Sequence, residues 1–396
     1  MDKYVIVVLT FVGLAASVGL CDSETGTPAA SSATSTNAPA FASVTTGPLI
    51  LKGTYGSRAK LRRQTSEPVA ATIGNGLRWL RDSQNKDGSW GTETNALAAE
   101  AGLALLAFLT RGETVSSAEF GVTVERGLAF LIPALEATNN LALDWHPPAI
   151  GHAISTWAAC EAYAMTRIPR LKPVAASGLA VILKGQRQSG LWDGSYRIGE
   201  GGDDVEASIW QVLALKGGLM GGVMEEKGLR ESLRRSSEAM RRVLEVQPDA
   251  GTAAGAVLCL QLCGEGRSPA CPTGLVALET MIPDSEAPFF KGPVFPWYLA
   301  NQAFFYQGGQ HWVRWNRLFT PMLVKHQVVS DDVGGKEVGY WDSPGGGERF
   351  GRAYATALSV LMLEVCQVYF TRPTSQPLSR QNEKEADDED IKIKIE

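Results

Sequence analysis

Apolar positions along the chain fall into two kinds of segment that alternate. In the first kind, Ile73, Leu77 and Leu80 recur at i, i+4 and i+7 while Arg78 and Arg81 fall elsewhere, the spacing of a helix with one buried stripe. The second kind is apolar almost all round, as in ALAAEAGLALLAFL from Ala96, and such a helix has no face to offer water. Helices of the first kind are expected over about Val69–Ser83, Val122–Ala137, Val174–Gln186, Leu229–Glu245, Gly274–Met281 and Trp312–Gln327. Helices of the second kind are expected over Ala96–Thr110, Gly151–Arg167, Val205–Leu219, Thr252–Cys263, Trp297–Gln307 and Arg352–Phe370. Six hairpins of this sort predict an all-α fold with six outer and six buried helices in two concentric rings. An open helical solenoid would leave a similar pattern.

The hairpins repeat in sequence as well as in pattern. GLRWL at Gly76, GLAFL at Gly127 and GLAVI at Gly178 follow one another at intervals of 51 residues, a period typical of helical repeat arrays. Leu80-x3-Gln84-x3-Gly88-x-Trp90 returns 102 residues later as Ile182-x3-Gln186-x3-Gly190-x-Trp192. A looser third copy runs from Leu323 and Gln327, through an insertion, to Gly339-Tyr340-Trp341. Two independent signals in phase argue for a real repeat.

The flanks differ in composition. Lys3 precedes an apolar run from Tyr4 to Leu20, and Cys21, Asp22 and Ser23 follow; residues 1–21 thus read as an export signal, either cleaved or kept as an anchor. Leu20 stands where a lipoprotein signal would want a small residue, which argues against lipidation. Residues 22–67 are rich in Ser, Thr, Ala and Pro, a composition that cannot repay ordering entropy and reads as a linker. Residues 373–396 end in a charged run and read as a solvated tail, leaving 68–372 as the folded body. A net charge of -5 and a pI near 5.6 argue against a nucleic-acid partner, which asks for a basic face. Export would permit disulfides, and Cys263 and Cys271, flanking GEGRSPA, could pair; spacing does not decide it.

The Gln-x3-Gly-x-Trp copies resemble the QW repeats of squalene-hopene and oxidosqualene cyclases, and the wider repeat resembles that of protein prenyltransferase β subunits. VEASIWQVLALK, WYLANQAFFYQGGQHWVRWN and GRAYATALSVLMLEV are similar to repeat helices of exported squalene-cyclase-like bacterial proteins. The resemblance covers nearly all of Ile73–Phe370 and implies an α/α toroid. It also implies that Gln84, Trp90, Gln186, Trp192, Gln327 and Trp341 tie neighbouring outer helices together.

Candidate chemistry is sparser. If the buried helices run parallel, their N-termini meet at one mouth, made mildly electropositive by helix dipoles and unpaired amides. Candidate mouth residues are Trp145, His146, His152, Glu206, Arg349, Arg352 and Tyr354. Gly201-Gly202-Asp203-Asp204 is similar to the DxDD acid motif of squalene-hopene cyclases, which would make Asp203 the proton donor and Asp204 its neighbour. Gly201 replaces the first Asp of that motif, however, and Val205-Glu206 departs from the residues that usually follow. Asp203-x-x-Glu206 ahead of an apolar helix is also the pattern of a capping box with Asp203 as N-cap.

No metal or cofactor is expected. The zinc-binding Asp-x-Cys of prenyltransferases is absent, and four histidines offer no helical pair. Cys263-Gly264-Glu265-Gly266 resembles the CGEQ thioester of complement-like proteins, but Gly266 replaces the obligatory Gln. The resulting expectation is an exported, non-catalytic repeat protein whose mouth binds an apolar small molecule, a peptide or an envelope component, close to a membrane if the N-terminal segment stays. The alternative is an isoprenoid cyclase working through Asp203 and Asp204. A polysaccharide hydrolase or lyase would need a carboxylate pair that Asp144, Glu161, Glu206 and Glu348 do not reveal by spacing.

Overall fold

The computed structural model describes residues 66–91, 97–137, 148–196, 201–282, 293–331, 334–342 and 351–365. Among them are twelve α-helices and one two-stranded antiparallel hairpin, so the chain is all-α in class. The helices are α1 (Glu67–Asp82), α2 (Leu97–Arg111), α3 (Gly121–Ala137), α4 (Pro148–Thr166), α5 (Leu171–Gly185) and α6 (Val205–Gly221). They continue as α7 (Glu226–Glu245), α8 (Ala250–Leu262), α9 (Ala270–Glu279), α10 (Val294–Gln307), α11 (Gly309–Lys325) and α12 (Arg352–Leu363). Strands β1 (Val328–Asp331) and β2 (Glu337–Tyr340) fall between α11 and α12.

The two kinds of helix are buried as their patterns require. In α7, whose first half alone carries five arginines and glutamates, the buried positions are Leu229, Ser232, Leu233, Ser236, Ser237, Ala239, Met240 and Leu244, one stripe at helical spacing. In α8 every residue from Ala253 to Leu262 is buried, and α6 is buried at nearly every position from Ala207 to Gly218. At roughly 25 cal/mol per Å² of apolar surface removed from water, these even-numbered helices carry most of the hydrophobic driving force.

Their contacts have a definite order. α2 packs on α4, α4 on α6, α6 on α8, α8 on α10 and α10 on α12, and α12 packs back on α2. The odd-numbered helices flank this series: α3 touches α5, α5 touches α7, α7 touches α9, and α11 touches α1. Both series therefore join late elements of the chain to early ones. β2 lies against α1 and α12, in the register Val328↔Tyr340, Val329↔Gly339, Ser330↔Val338 and Asp331↔Glu337.

The hairpin occupies the insertion of the third repeat. Its strands are too short and too mixed in polarity to betray themselves by alternation, and the sequence reading passes over them. No helix among the described residues is long and apolar enough to cross a membrane.

Candidate functional site

Each of the three Gln/Trp copies makes the same two bonds. The indole N–H donates to the carbonyl four residues before the Gln: Trp90 to Leu80 (2.7 Å), Trp192 to Ile182 (2.7 Å) and Trp341 to Leu323 (2.8 Å). The Gln amide donates to a carbonyl on the neighbouring odd-numbered helix: Gln84 to Thr123 of α3 (3.0 Å), Gln186 to Ser232 of α7 (3.0 Å) and Gln327 to Thr72 of α1 (2.9 Å). Gly88 and Gly190 hold the turn between them at φ of +93° and +91°. A Cβ there would lie 2.2 Å from the Arg126 carbonyl oxygen or 2.4 Å from that of Arg235, so the turn can press onto the next helix only where no side chain exists.

The entrances of α4 and α6 come together beside the second of these turns. Asp204 donates its N–H to the Trp192 carbonyl at 2.8 Å, and the Trp192 N–H donates to Ser208 Oγ at 2.9 Å. Four residues past Trp192, Tyr196 takes a left-handed conformation (φ +58°). Its ring lies against Gly185, where a Cβ would meet it at 2.4 Å. That placement brings the phenol oxygen within 2.8 Å of His152 Nδ1 on α4 and 2.9 Å of Gln211 Oε1 on α6. Gln211 Nε2 donates to the Ala149 carbonyl at 2.9 Å.

This buried network fixes its own protons. The Ala149 carbonyl only accepts, which turns the Gln211 amide nitrogen toward it and Oε1 toward Tyr196. Tyr196 then gives its single proton to Gln211 and accepts from His152, so the imidazole carries its hydrogen on Nδ1 and keeps a bare lone pair on Nε2. Nε2 is buried and has no hydrogen-bond partner among the described residues. Burial pushes the His152 imidazole down to about 4 and the Tyr196 phenol well above its ordinary range. The result is a neutral acceptor in a dry setting.

The two aspartates play separate parts. Asp204, rather than Asp203, is the N-cap of α6, accepting from the Ala207 N–H at 2.9 Å. The capping role therefore stands one residue later than the sequence pattern places it. The register is set by the backbone bond from Asp204 to Trp192, which no local spacing encodes. Asp203 is exposed, accepts from Ser189 Oγ at 2.9 Å and lies 3.1 Å from Arg187 Nε in an ion pair. Glu206 is exposed on the first turn of α6.

Other candidates lie apart from this cluster. Arg352 is exposed, paired with Asp342 at 2.7 Å and set 4.7 Å over the Tyr340 ring, while Tyr354 is buried in α12. Trp145, His146, Glu348 and Arg349 lie outside the described residues. Asn301, well inside α10, accepts from the Trp315 indole at 2.8 Å and donates to the Met362 carbonyl at 3.0 Å, a packing role. Cys263 and Cys271 are free thiols and form no disulfide. Cys263 points at the Leu233 carbonyl and Cys271 at that of Glu265, and burial pushes their thiols up to about 12 and about 11, away from thiolate chemistry.

Tyr196 and Gln211 escaped the sequence reading because a turn residue and a helix residue 15 positions apart meet only through the left-handed twist at Tyr196. A second unforeseen feature is the stack of Trp210 on Phe295, at 4.5 Å and 13°, with Tyr298 beside them. These rings come from α6 and α10, the two helices on either side of α8. Glycines on α8 allow this approach: Gly255 faces Ile209 and Leu299, and Gly251 faces Pro296. Trp210 Nε1 is buried with no hydrogen-bond partner among the described residues. No group of three or more metal-binding side chains occurs among the described residues. No protein-family model matches the chain, and no curated protein matches it.

Proposed function

We propose that this chain is an exported α/α toroid of the QW-repeat type that binds an apolar ligand, peptide or envelope partner and performs no cyclisation. The toroid reading is supported by the even-numbered contact series, which returns from α12 to α2, and by the Gln327 bond that joins α11 to α1. Export rests on the basic residue and apolar run at Lys3–Leu20.

The observation that carries the non-catalytic reading is the state of Asp203 and Asp204. A carboxylic acid that protonates an alkene must be kept neutral by desolvation or by a partner that favours the acid. Asp203 instead sits exposed at the surface, paired with the Arg187 guanidinium, and Asp204 is committed to the helix cap. For binding, Trp210 Nε1 and His152 Nε2, which have no hydrogen-bond partner among the described residues, supply one donor and one acceptor amid apolar packing. Such sparse polar points in apolar surroundings orient ligands elsewhere.

Two measurements on the full chain test this reading: squalene turnover by wild type and Asp203→Asn, and native mass spectrometry of protein purified from its own host. No product from either protein is expected, together with a co-purifying apolar molecule or protein partner. Cyclised product from wild type that disappears in Asp203→Asn would overturn the reading and make the chain an enzyme.

A further inference from the structure

Strand β1 is an edge. Among the described residues it pairs with β2 alone, and all four of its residues are exposed. Val328 and Val329, on opposite faces of the strand, are 43% and 47% exposed. A bare edge with exposed β-branched residues invites another strand, and natural proteins usually cover or charge such edges. Here the only charge within the strand is Asp331.

The sequence holds one segment shaped for that edge. After Leu378 the only large apolar residues are Ile391, Ile393 and Ile395, in the run Asp390-Ile-Lys-Ile-Lys-Ile-Glu396. Strict alternation of β-branched and charged residues is a strand pattern, with one apolar and one basic face. β1 and β2 have matching faces. Val328, Ser330, Val338 and Tyr340 lie on one, and Val329, Asp331, Gly339 and Glu337 on the other. On β1 itself the second face carries the Asp331 carboxylate for a lysine, while the first offers Val328 to the isoleucines. Reach is ample. The tail departs from the end of α12, a helix that itself packs on β2, and residues 366–389 could span on the order of 80 Å when extended.

We propose that Asp390–Glu396 adds to the free edge of β1 as a third strand of the hairpin sheet, its isoleucines beside Val328 and its lysines beside Asp331. Main-chain bonds would give the affinity and the alternating side chains the register.

Hydrogen–deuterium exchange on the full chain, on a chain ending at Glu389 and on Ile393→Pro tests this directly. The amides of Val328–Asp331 should exchange at least tenfold faster in both variants, with α2, α4 and α8 unchanged. Adding the peptide DIKIKIE to the shortened chain should restore the protection. Lys392→Glu with Lys394→Glu should lose it, and Asp331→Lys in that background should regain it. Equal exchange of β1 in all chains would overturn the proposal. Protection that grows with protein concentration and tracks a dimer would also overturn it, assigning the edge to a second copy.

Discussion

At pH 7 the His152 imidazole is uncharged in the folded chain because burial holds its pKa near 4, against an ordinary value of 6.5. Between those values the unfolded chain binds a proton that the folded chain refuses, so stability rises with pH across that window. The contribution is fully present above about pH 6.5 and is lost as the pH falls toward 4. A difference of this size corresponds to about 3 kcal/mol. Urea denaturation at about pH 7 and about pH 4.5 should show wild type losing roughly 2 kcal/mol more than His152→Gln over the same interval; identical losses would mean the imidazole is not held neutral. Gly88 makes a second prediction. Gly88→Ala combines a positive φ with a Cβ 2.2 Å from the Arg126 oxygen and should cost about 3 kcal/mol or more, read by thermal or urea unfolding. Gly201→Ala, also at positive φ but with nothing within 4 Å, should cost only about 1 kcal/mol.

Among the elements, helices were legible and their exceptions were not. The expected buried helix Val205–Leu219 is found as Val205–Gly221, and the weak Gly274–Met281 as Ala270–Glu279, because periodicity and all-round apolarity are properties of single segments. The hairpin at Val328–Tyr340, the shift of the cap from Asp203 to Asp204 and the free state of Cys263 and Cys271 depend on residues brought from elsewhere in the chain. The same holds at the candidate site. His152 could be picked out as a residue at a helix entrance, but the proton order that leaves Nε2 bare depends on Tyr196, Gln211 and a backbone carbonyl. The Gln amides give a test at this scale. Gln186 is buried and donates to Gly190, Ser232 and Ser236, whereas Gln327 is less buried and reaches Thr72 with support from Asn75. Gln186→Ala should cost about 2–3 kcal/mol and Gln327→Ala about 1 kcal/mol. The Gln327→Ala loss should also appear as faster amide exchange in α1 and α11, its two attachment points.

Over the whole molecule, the return of α12 onto α2 and of α11 onto α1 separates this chain from a linear array. In a linear array each repeat touches only its neighbours and end repeats fray first. Here the first and last hairpins are neighbours, so losing either exposes the apolar sides of helices at both ends of the sequence. Calorimetry should show one transition, with α1 and α12 protected against exchange about as well as α6; early melting of α1 alone would contradict this.

The third repeat also shows where the fold accepts new chain. Gln84 and Trp90 are six residues apart and Gln327 and Trp341 fourteen, yet both tryptophans reach the same carbonyl position and both glutamines a neighbouring helix. The anchors are indifferent to what is strung between them: in the third copy the glycine before the tryptophan, Gly339, lies in strand β2 rather than in a turn. The equivalent turns at Lys86–Asp87 and Gln188–Ser189 are thus natural grafting points. An epitope or reporter loop spliced there should be displayed at the surface with the scaffold beneath it undisturbed.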